Sequence, residues 1–165
     1  MGPVRIRLAT TSDASIIAQH RARMFFDMGE IPSELFESFR AKSQDKIQSM
    51  LETGEYVGWV ANSENEPQQI IAGAGVQLRE VMPHPGTNPN GETTVAEGRH
   101  ALIINVFTEP EWRRRGVATL LMKRIIEWSR EQRLDRIVLH AAEEARPLYE
   151  RLGFVMTNEM KFVGN

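Results

Sequence analysis

The first pattern in the chain has a period of two. Val4 to Ala9, VRIRLA, alternates apolar and charged residues and predicts a half-buried strand. The period then lengthens. Ser12 is a plausible N-cap for a helix from Asp13 to about Asp27, with Ile16, Ile17, His20 and Met24 on one face. Met28-Gly29 ends it. Pro32-Ser33 opens a second helix to about Glu52, carrying Leu35, Phe36, Phe39, Ile47 and Leu51, and Gly54 is its expected stop. Tyr56 to Asn62 and Ile70 to Val81 read as strands either side of the turn ENEPQQ, antiparallel to each other. Gly73 and Gly75, inside the second, suggest a bulge or a close backbone approach.

Met82 to Gly98 is rich in Pro, Gly, Asn and Thr and predicts a long loop, with a tight turn at Asn90-Gly91. His100 to Thr108 is apolar almost throughout, as a central strand covered on both faces would be. From Val117 to about Gln132, Val117, Leu120, Leu121, Ile125 and Trp128 recur at helical spacing. Arg136 to Ala141 predicts a short buried strand, Glu143 to Gly153 a helix, and FVMTN and EMKFV two closing strands. The resulting order is β-α-α-β-β-β-α-β-α-β-β. It predicts an α+β fold, with a mixed, mostly antiparallel sheet and helices on both faces.

Composition removes whole classes of function. At 165 residues the chain predicts one domain, residues 1–165, with a sizeable core. A formal net charge of -2 argues against a general polyanion binder, so any basic patch must be local. The absence of cysteine excludes disulfides, thiolate metal sites and a cysteine nucleophile. No apolar run approaches the roughly 18 residues of a membrane span, and no signal-peptide pattern opens the sequence. The expectation is a cytoplasmic protein with no membrane or nucleic-acid partner.

The stretch EPEWRRRGVATLL, Glu109 to Leu121, sets a problem against this background. Three arginines stand beside a helix start, where the dipole already carries roughly half a positive charge. One reading is a single long helix. Thr108 and Glu111 fit a capping box, Pro110 lies in the first turn, and Gly116 is a tolerated interior glycine costing about 1 kcal/mol. The other is a short turn at Pro110 to Trp112, then a loop, with the helix beginning near Gly116. Gly116 then lets a ligand approach the backbone, and the amides of residues near 114–119 converge as an anion site. A bound phosphate would compensate the dipole and the arginines together. The Walker A and dinucleotide fingerprints are both absent.

Arg113-x-x-Gly116-x-Ala118, between a buried strand and an apolar helix, resembles the (Q/R)-x-x-G-x-(G/A) signature of the GNAT superfamily of acyl-CoA-dependent N-acyltransferases. The run NVFTEPEWRRRGVATLLM looks like that family's strand, loop and helix, and LHAAEEARPLYERLGF like its next strand and helix. The likeness is strong from about Leu102 to Phe154 and weak before Ile70. It implies acetyl-CoA as acyl donor and no metal. Two parallel strands splay apart, and the pantetheine arm lies along Val106, Phe107 and Thr108. The pyrophosphate rests on the loop, with Arg113 at the Q/R position and Arg114, Arg115, Gly116, Val117, Ala118 and Thr119 supplying amides. An Asn that many members carry at the start of the last helix is replaced here by Ala141-Ala142-Glu143-Glu144.

The resemblance further implies direct attack of a neutral amine on the thioester. A backbone N–H near Val106 polarises the carbonyl, and Tyr149 protonates the leaving thiolate. Taken alone, Tyr149 reads as a core aromatic on an amphipathic helix with Leu148 and Leu152; it is the PLYERLGF context that favours the acid role. Glu80 and Glu30 are the candidate bases, with Glu109 a third that is better suited to a turn or cap; a surface role is the ordinary alternative for each. Asn105 either lines the acceptor cleft or satisfies a buried partner. His20 and His140 sit in apolar patterns and read as packing, while His84 and His100 flank the long loop without metal-ligand spacing. Met24 to Pro32 covers the acceptor site in such enzymes, and Phe25 and Phe26 either line it or pack the first helix. The Met82–Gly98 loop either folds over the cleft or makes a subunit contact, so a homodimer is a candidate assembly. The expected activity is N-acetylation of a small amine or peptide amine. The alternative on the same fold is a non-catalytic acyl-CoA-binding domain.

Overall fold

The computed structural model describes residues 3–164. The alternating segment forms β1 (Val4–Leu8), and a 3-10 turn at Thr11–Asp13 leads into α1 (Ala14–Asp27). The start of α1 is built around Asp13 rather than Ser12. Asp13 Oδ2 accepts from the Thr10 amide at 2.8 Å and Thr10 Oγ1 at 3.2 Å. Arg7 donates to both of its carboxylate oxygens at 2.8 Å, tying β1 to the helix. A carboxylate accepts these bonds better than a serine hydroxyl, which explains the shift of one residue. α2 (Phe36–Thr53) follows another 3-10 turn and stops at Gly54, whose φ of 78° is left-handed.

β2 (Tyr56–Ser63) and β3 (Ile70–Glu80) are antiparallel neighbours. The segment expected as loop holds a hairpin instead: β4 (His84–Thr87) pairs with β5 (Thr93–Ala96). Its turn contains the expected Asn90-Gly91, with Gly91 at φ 82° and Asn88 Oδ1 accepting from the amides of Asn90 and Glu92. The strands are four residues each and β4 carries Pro85, which hid the alternation that would have announced them. His84 on the hairpin meets His100 with Nε2 atoms 2.7 Å apart, so one imidazole donates to the other.

β6 (Arg99–Thr108), α3 (Val117–Glu131), β7 (Arg136–Leu139) and α4 (Arg146–Arg151) complete the elements. The five-stranded sheet has the order β1-β2-β3-β6-β7, antiparallel except for the parallel pair β6–β7. The two closing strands expected from FVMTN and EMKFV do not form; residues 154–164 are irregular. Alternation alone supplies no ladder partner, and only Phe154 packs inward, edge-on to Tyr149. His140 is likewise exposed beside Glu159 rather than packed, because β7 ends one residue earlier.

The core lies on both faces of the sheet. On one, Ala14, Ile17, Ala18, Ile47 and Met50 of α1 and α2 pack with Tyr56 and Val60. On the other, Val117, Leu121, Met122 and Ile125 of α3 pack with Trp59, Ile71, Val76 and Ile103, and Tyr149 of α4 joins them. β3 is buried continuously from Ile71 to Val76, as a strand covered on both sides must be.

Candidate active site

β7 pairs with β6 only from His100↔Arg136 to Ile103↔Leu139. Beyond Ile103, β6 runs on to Thr108 beside β3 alone, so its other edge lacks a ladder partner. The divergence coincides with a bulge. Gly75 stands opposite Ile104 and Gly73 opposite Phe107, leaving Asn105 and Val106 to face Ala74 together. Asn105 takes φ 59°, a conformation that asparagine tolerates better than most residues.

The Asn105 side chain is 4% exposed and fully engaged. Arg21 Nη1 donates to its Oδ1 at 2.7 Å, and its Nδ2 donates to the Tyr56 hydroxyl oxygen at 3.3 Å. Of the two roles open to Asn105, the structure supports the buried partner. Tyr56 is itself buried, and burial pushes its phenol up to about 12, so it stays neutral. Its ring crosses Gly75 closely enough that a Cβ there would overlap the hydroxyl. Neither Tyr56 nor Arg21 stood out in the sequence. The available signal was a tyrosine across the ladder from a glycine-rich strand, and an arginine one helical turn before Phe25.

After Thr108 the chain makes a 3-10 turn at Pro110–Trp112 and a loop, and α3 begins at Val117. The continuous helix is thereby excluded. Arg114 and Gly116 adopt φ 62° and 81°, reversals that no single helix could hold. No side chain caps α3, and the amides of residues 114–119 find no acceptor among the described residues. A Cβ at Gly116 would meet nothing within 4 Å, so the glycine answers to its left-handed φ and to the open space in front of it.

The arginine side chains do not converge on these amides. Arg113 Nε donates to the Thr108 carbonyl at 3.0 Å and its Nη2 to Asp27 at 3.3 Å, clamping loop, strand end and α1 together. Arg115 lies over the Trp112 ring, 5.3 Å from its centroid. Arg113 thus holds the loop through its side chain, which differs from the cofactor contact expected of it.

α1 lines the same end of β6. His20 stacks on Phe107 with ring centroids 4.6 Å apart, and burial holds its imidazole below the ordinary value despite Glu109 nearby. Its Nε2 lies 3.3 Å from Glu109 Oε1 but off the line a hydrogen bond requires. Glu109 is taken by Arg23, whose Nη1 donates to both oxygens at 2.8 and 2.7 Å. Glu109 is therefore a structural ion-pair partner.

Tyr149 belongs to the buried cluster that includes Val117 and Ile103, the last β6 residue paired with β7. Its hydroxyl has no partner among the described residues, and burial pushes the phenol upward, which keeps its proton in place. Glu30 is exposed, three residues beyond the Asp27 that pairs with Arg113. Glu80 is not brought to the group. It pairs with Arg99 at the opposite end of β3, roughly 20 Å along the strand from Gly73. There it lines a groove of about 530 Å³ with Glu55, Arg79, Arg99 and His100. That groove has the volume, but the strand-end cleft has the free amides, the strained backbone and the unpaired strand edge, and those features carry chemistry.

The site is thus a parted pair of parallel strands leading to an uncapped helix start within a mixed sheet. Residues 19–154 match the model of the acetyltransferase (GNAT) family, and the chain belongs to that family. An N-acetyltransferase of the same kind from Ralstonia eutropha JMP134 is 29% identical, with TM-score 0.82 and 97% of each chain covered. One from Clostridium acetobutylicum, described as a predicted acetyltransferase with acetyl-CoA, is 26% identical with TM-score 0.76, covering 98% of this chain and 96% of its own. Glucosamine-6-phosphate N-acetyltransferase from Arabidopsis thaliana shares the fold at 15% identity and TM-score 0.63, over 99% and 97% of the two chains. A comparison with curated protein sequences found no match. The family uses acetyl-CoA. Among the described residues no helix is long and apolar enough to cross a membrane, and no three His, Asp or Glu side chains gather as a metal site.

Proposed function

We propose that the chain is a single acetyltransferase domain that moves the acetyl group of acetyl-CoA to a primary amine by direct attack in a ternary complex. The observation that carries this reading is the parting of β6 from β7 in front of the uncapped amides of residues 114–119. Acetyl-CoA supplies an activated thioester; the protein's own groups do the rest. The amides of Arg114, Arg115, Gly116, Val117, Ala118 and Thr119 hold the pyrophosphate, and the helix dipole adds to their pull. The open edge of Val106, Phe107 and Thr108 orients the pantetheine arm as a neighbouring strand would. An N–H beside Val106, fixed by the bulge, donates to the carbonyl oxygen as negative charge grows on it.

Tyr149 holds a proton for the departing sulfur, and its raised pKa keeps that proton available at neutral pH. Glu30, three residues beyond the Asp27 that pairs with Arg113, is the remaining expected carboxylate to accept the amine proton. We assign Glu80 no part, because it lies at the far end of β3. Relatives on this fold include enzymes named for glucosamine-6-phosphate and for aminoglycosides, which supports a small-molecule amine as acceptor.

Calorimetric titration with acetyl-CoA, followed by thiol detection across amino acids, polyamines, aminoglycosides and peptides, tests the proposal. Saturable binding and amine-dependent CoA release are expected. Binding without release from any amine would point to an acyl-CoA-binding domain, and no binding would overturn both readings.

A further inference from the structure

Three arginines, two on α1 and one in the loop after β6, stand near the Thr108 end of β6, and their partners differ. Arg23 is neutralised by Glu109 at 2.7 Å, and Arg113 is paired with Asp27 at 3.3 Å. Arg21 has no carboxylate within 4.0 Å among the described residues. It is half-buried against an edge-on pair of aromatic rings, 4.9 Å from the Phe25 centroid and 5.7 Å from that of Phe39. Its one hydrogen bond within the protein goes to the neutral side chain of Asn105, through Nη1. Nε and Nη2 find no acceptor among the described residues. Burial works against its charge, and the only opposing influence is the distant Tyr56 phenol, which is protonated near neutral pH.

A guanidinium remains charged in proteins, and a half-desolvated one without a counter-ion is unfavourable unless a ligand supplies the anion. The planar fork suits two oxygens of one carboxylate or phosphate group. Position adds to this. Arg21 is bonded to Asn105, the residue before Val106, which places it next in sequence to the strand edge assigned to the acetyl group.

We propose that Arg21 is the specificity-determining residue for an acceptor amine that carries a carboxylate or phosphate group at its non-reacting end. This rests on the acetyltransferase reading. Asn105 and the two phenylalanines hold the guanidinium in place, and the substrate anion completes its coordination. The paired arginines Arg23 and Arg113 are spent on the protein's own carboxylates and do not compete.

The test uses the full chain with saturating acetyl-CoA and three matched amines: one bearing a carboxylate, its carboxamide, and one bearing a phosphate. For the wild type, kcat/KM for at least one anionic amine should exceed that for the carboxamide by about tenfold or more. Arg21→Gln keeps a donor for Asn105 and removes the charge. It should erase the preference while leaving KM for acetyl-CoA and turnover of the carboxamide within about twofold. Arg21→Lys should restore part of the preference. Equal handling of all three amines by the wild type overturns the proposal, as does an equal loss on charged and neutral amines in Arg21→Gln, which would mark a purely structural residue. The larger response between carboxylate and phosphate identifies the source of the anion. Calorimetric binding of the same amines in the presence of CoA reads the preference without turnover. A chain that binds acetyl-CoA and prefers the anionic amines but releases no thiol would sink the transferase reading and leave Arg21's role standing.

Discussion

Asn105, Tyr56 and Gly75 act as one unit at the residue scale. The bulge that parts β6 from its ladder needs a left-handed residue, and the Asn105 side chain is then held from two sides. Tyr56 reaches it only because β3 carries no side chain at position 75. Gly75→Ala should therefore destabilise the protein by about 1–3 kcal/mol, the usual range for overpacking, measured as a lower urea midpoint at unchanged slope. A silent substitution would show that the tyrosine can move aside freely. The sequence made the glycines conspicuous, but what they accommodate depends on the β2–β3 register, which no local pattern encodes. Tyr149 tests the chemistry at the same scale. Tyr149→Phe keeps the ring in the core and removes the proton, so turnover should fall by about a hundredfold with acetyl-CoA affinity unchanged. Equal turnover in the two proteins would remove Tyr149 from the mechanism.

At the scale of elements, the start of α3 explains the three arginines that made the sequence look badly placed. They are exposed, and two lie over aromatic rings, so repulsion by the dipole is weak. What the stretch supplies is a backbone: two positive-φ residues, a free row of amides and no cap. Gly116→Glu should abolish acetyl-CoA binding by calorimetry, since a carboxylate would stand where the pyrophosphate is expected. Its far-ultraviolet circular dichroism should stay intact, with a modest loss of stability from a non-glycine at φ 81°. Retained binding would dissociate the loop from the cofactor. The loop was legible because its signature is local, and strong period-3.6 patterning followed at once. The β4–β5 hairpin was illegible because its strands are four residues each and the first is interrupted by Pro85 and Gly86. The expected closing strands failed for the opposite reason: a good alternating pattern without a partner. Arg21 escaped notice because its meaning lies in an absent counter-ion, a property of the assembled site.

The whole molecule carries an acid sensitivity in two stages. His20 and His100 are both held below the ordinary histidine value, chiefly by burial, with the neighbouring His84 adding to the effect at His100. A histidine lowered in the folded state stabilises it fully above its unfolded value of about 6.5 and loses that contribution as pH falls through the folded value. The lowered carboxylates behave likewise at lower pH. Asp13, bonded by Arg7, and Asp135, accepting from the Arg99 and Gly98 amides, contribute above about 4 and lose their contribution below it. Thermal melts from pH 7.5 downward should thus fall first below about 6.5, then again below about 4. The first fall has two sources in different places. His100 ties the hairpin to β6 through His84, while His20 lies under the cleft against Phe107. His100→Asn should shrink the first fall and leave the Asp13 share of the second in place, and acetyl-CoA should shrink what remains of the first by favouring the state in which the cleft end of β6 is ordered. A melting temperature that is flat from pH 7.5 to 5 in the wild type would show that neither histidine is protonated differently by folding.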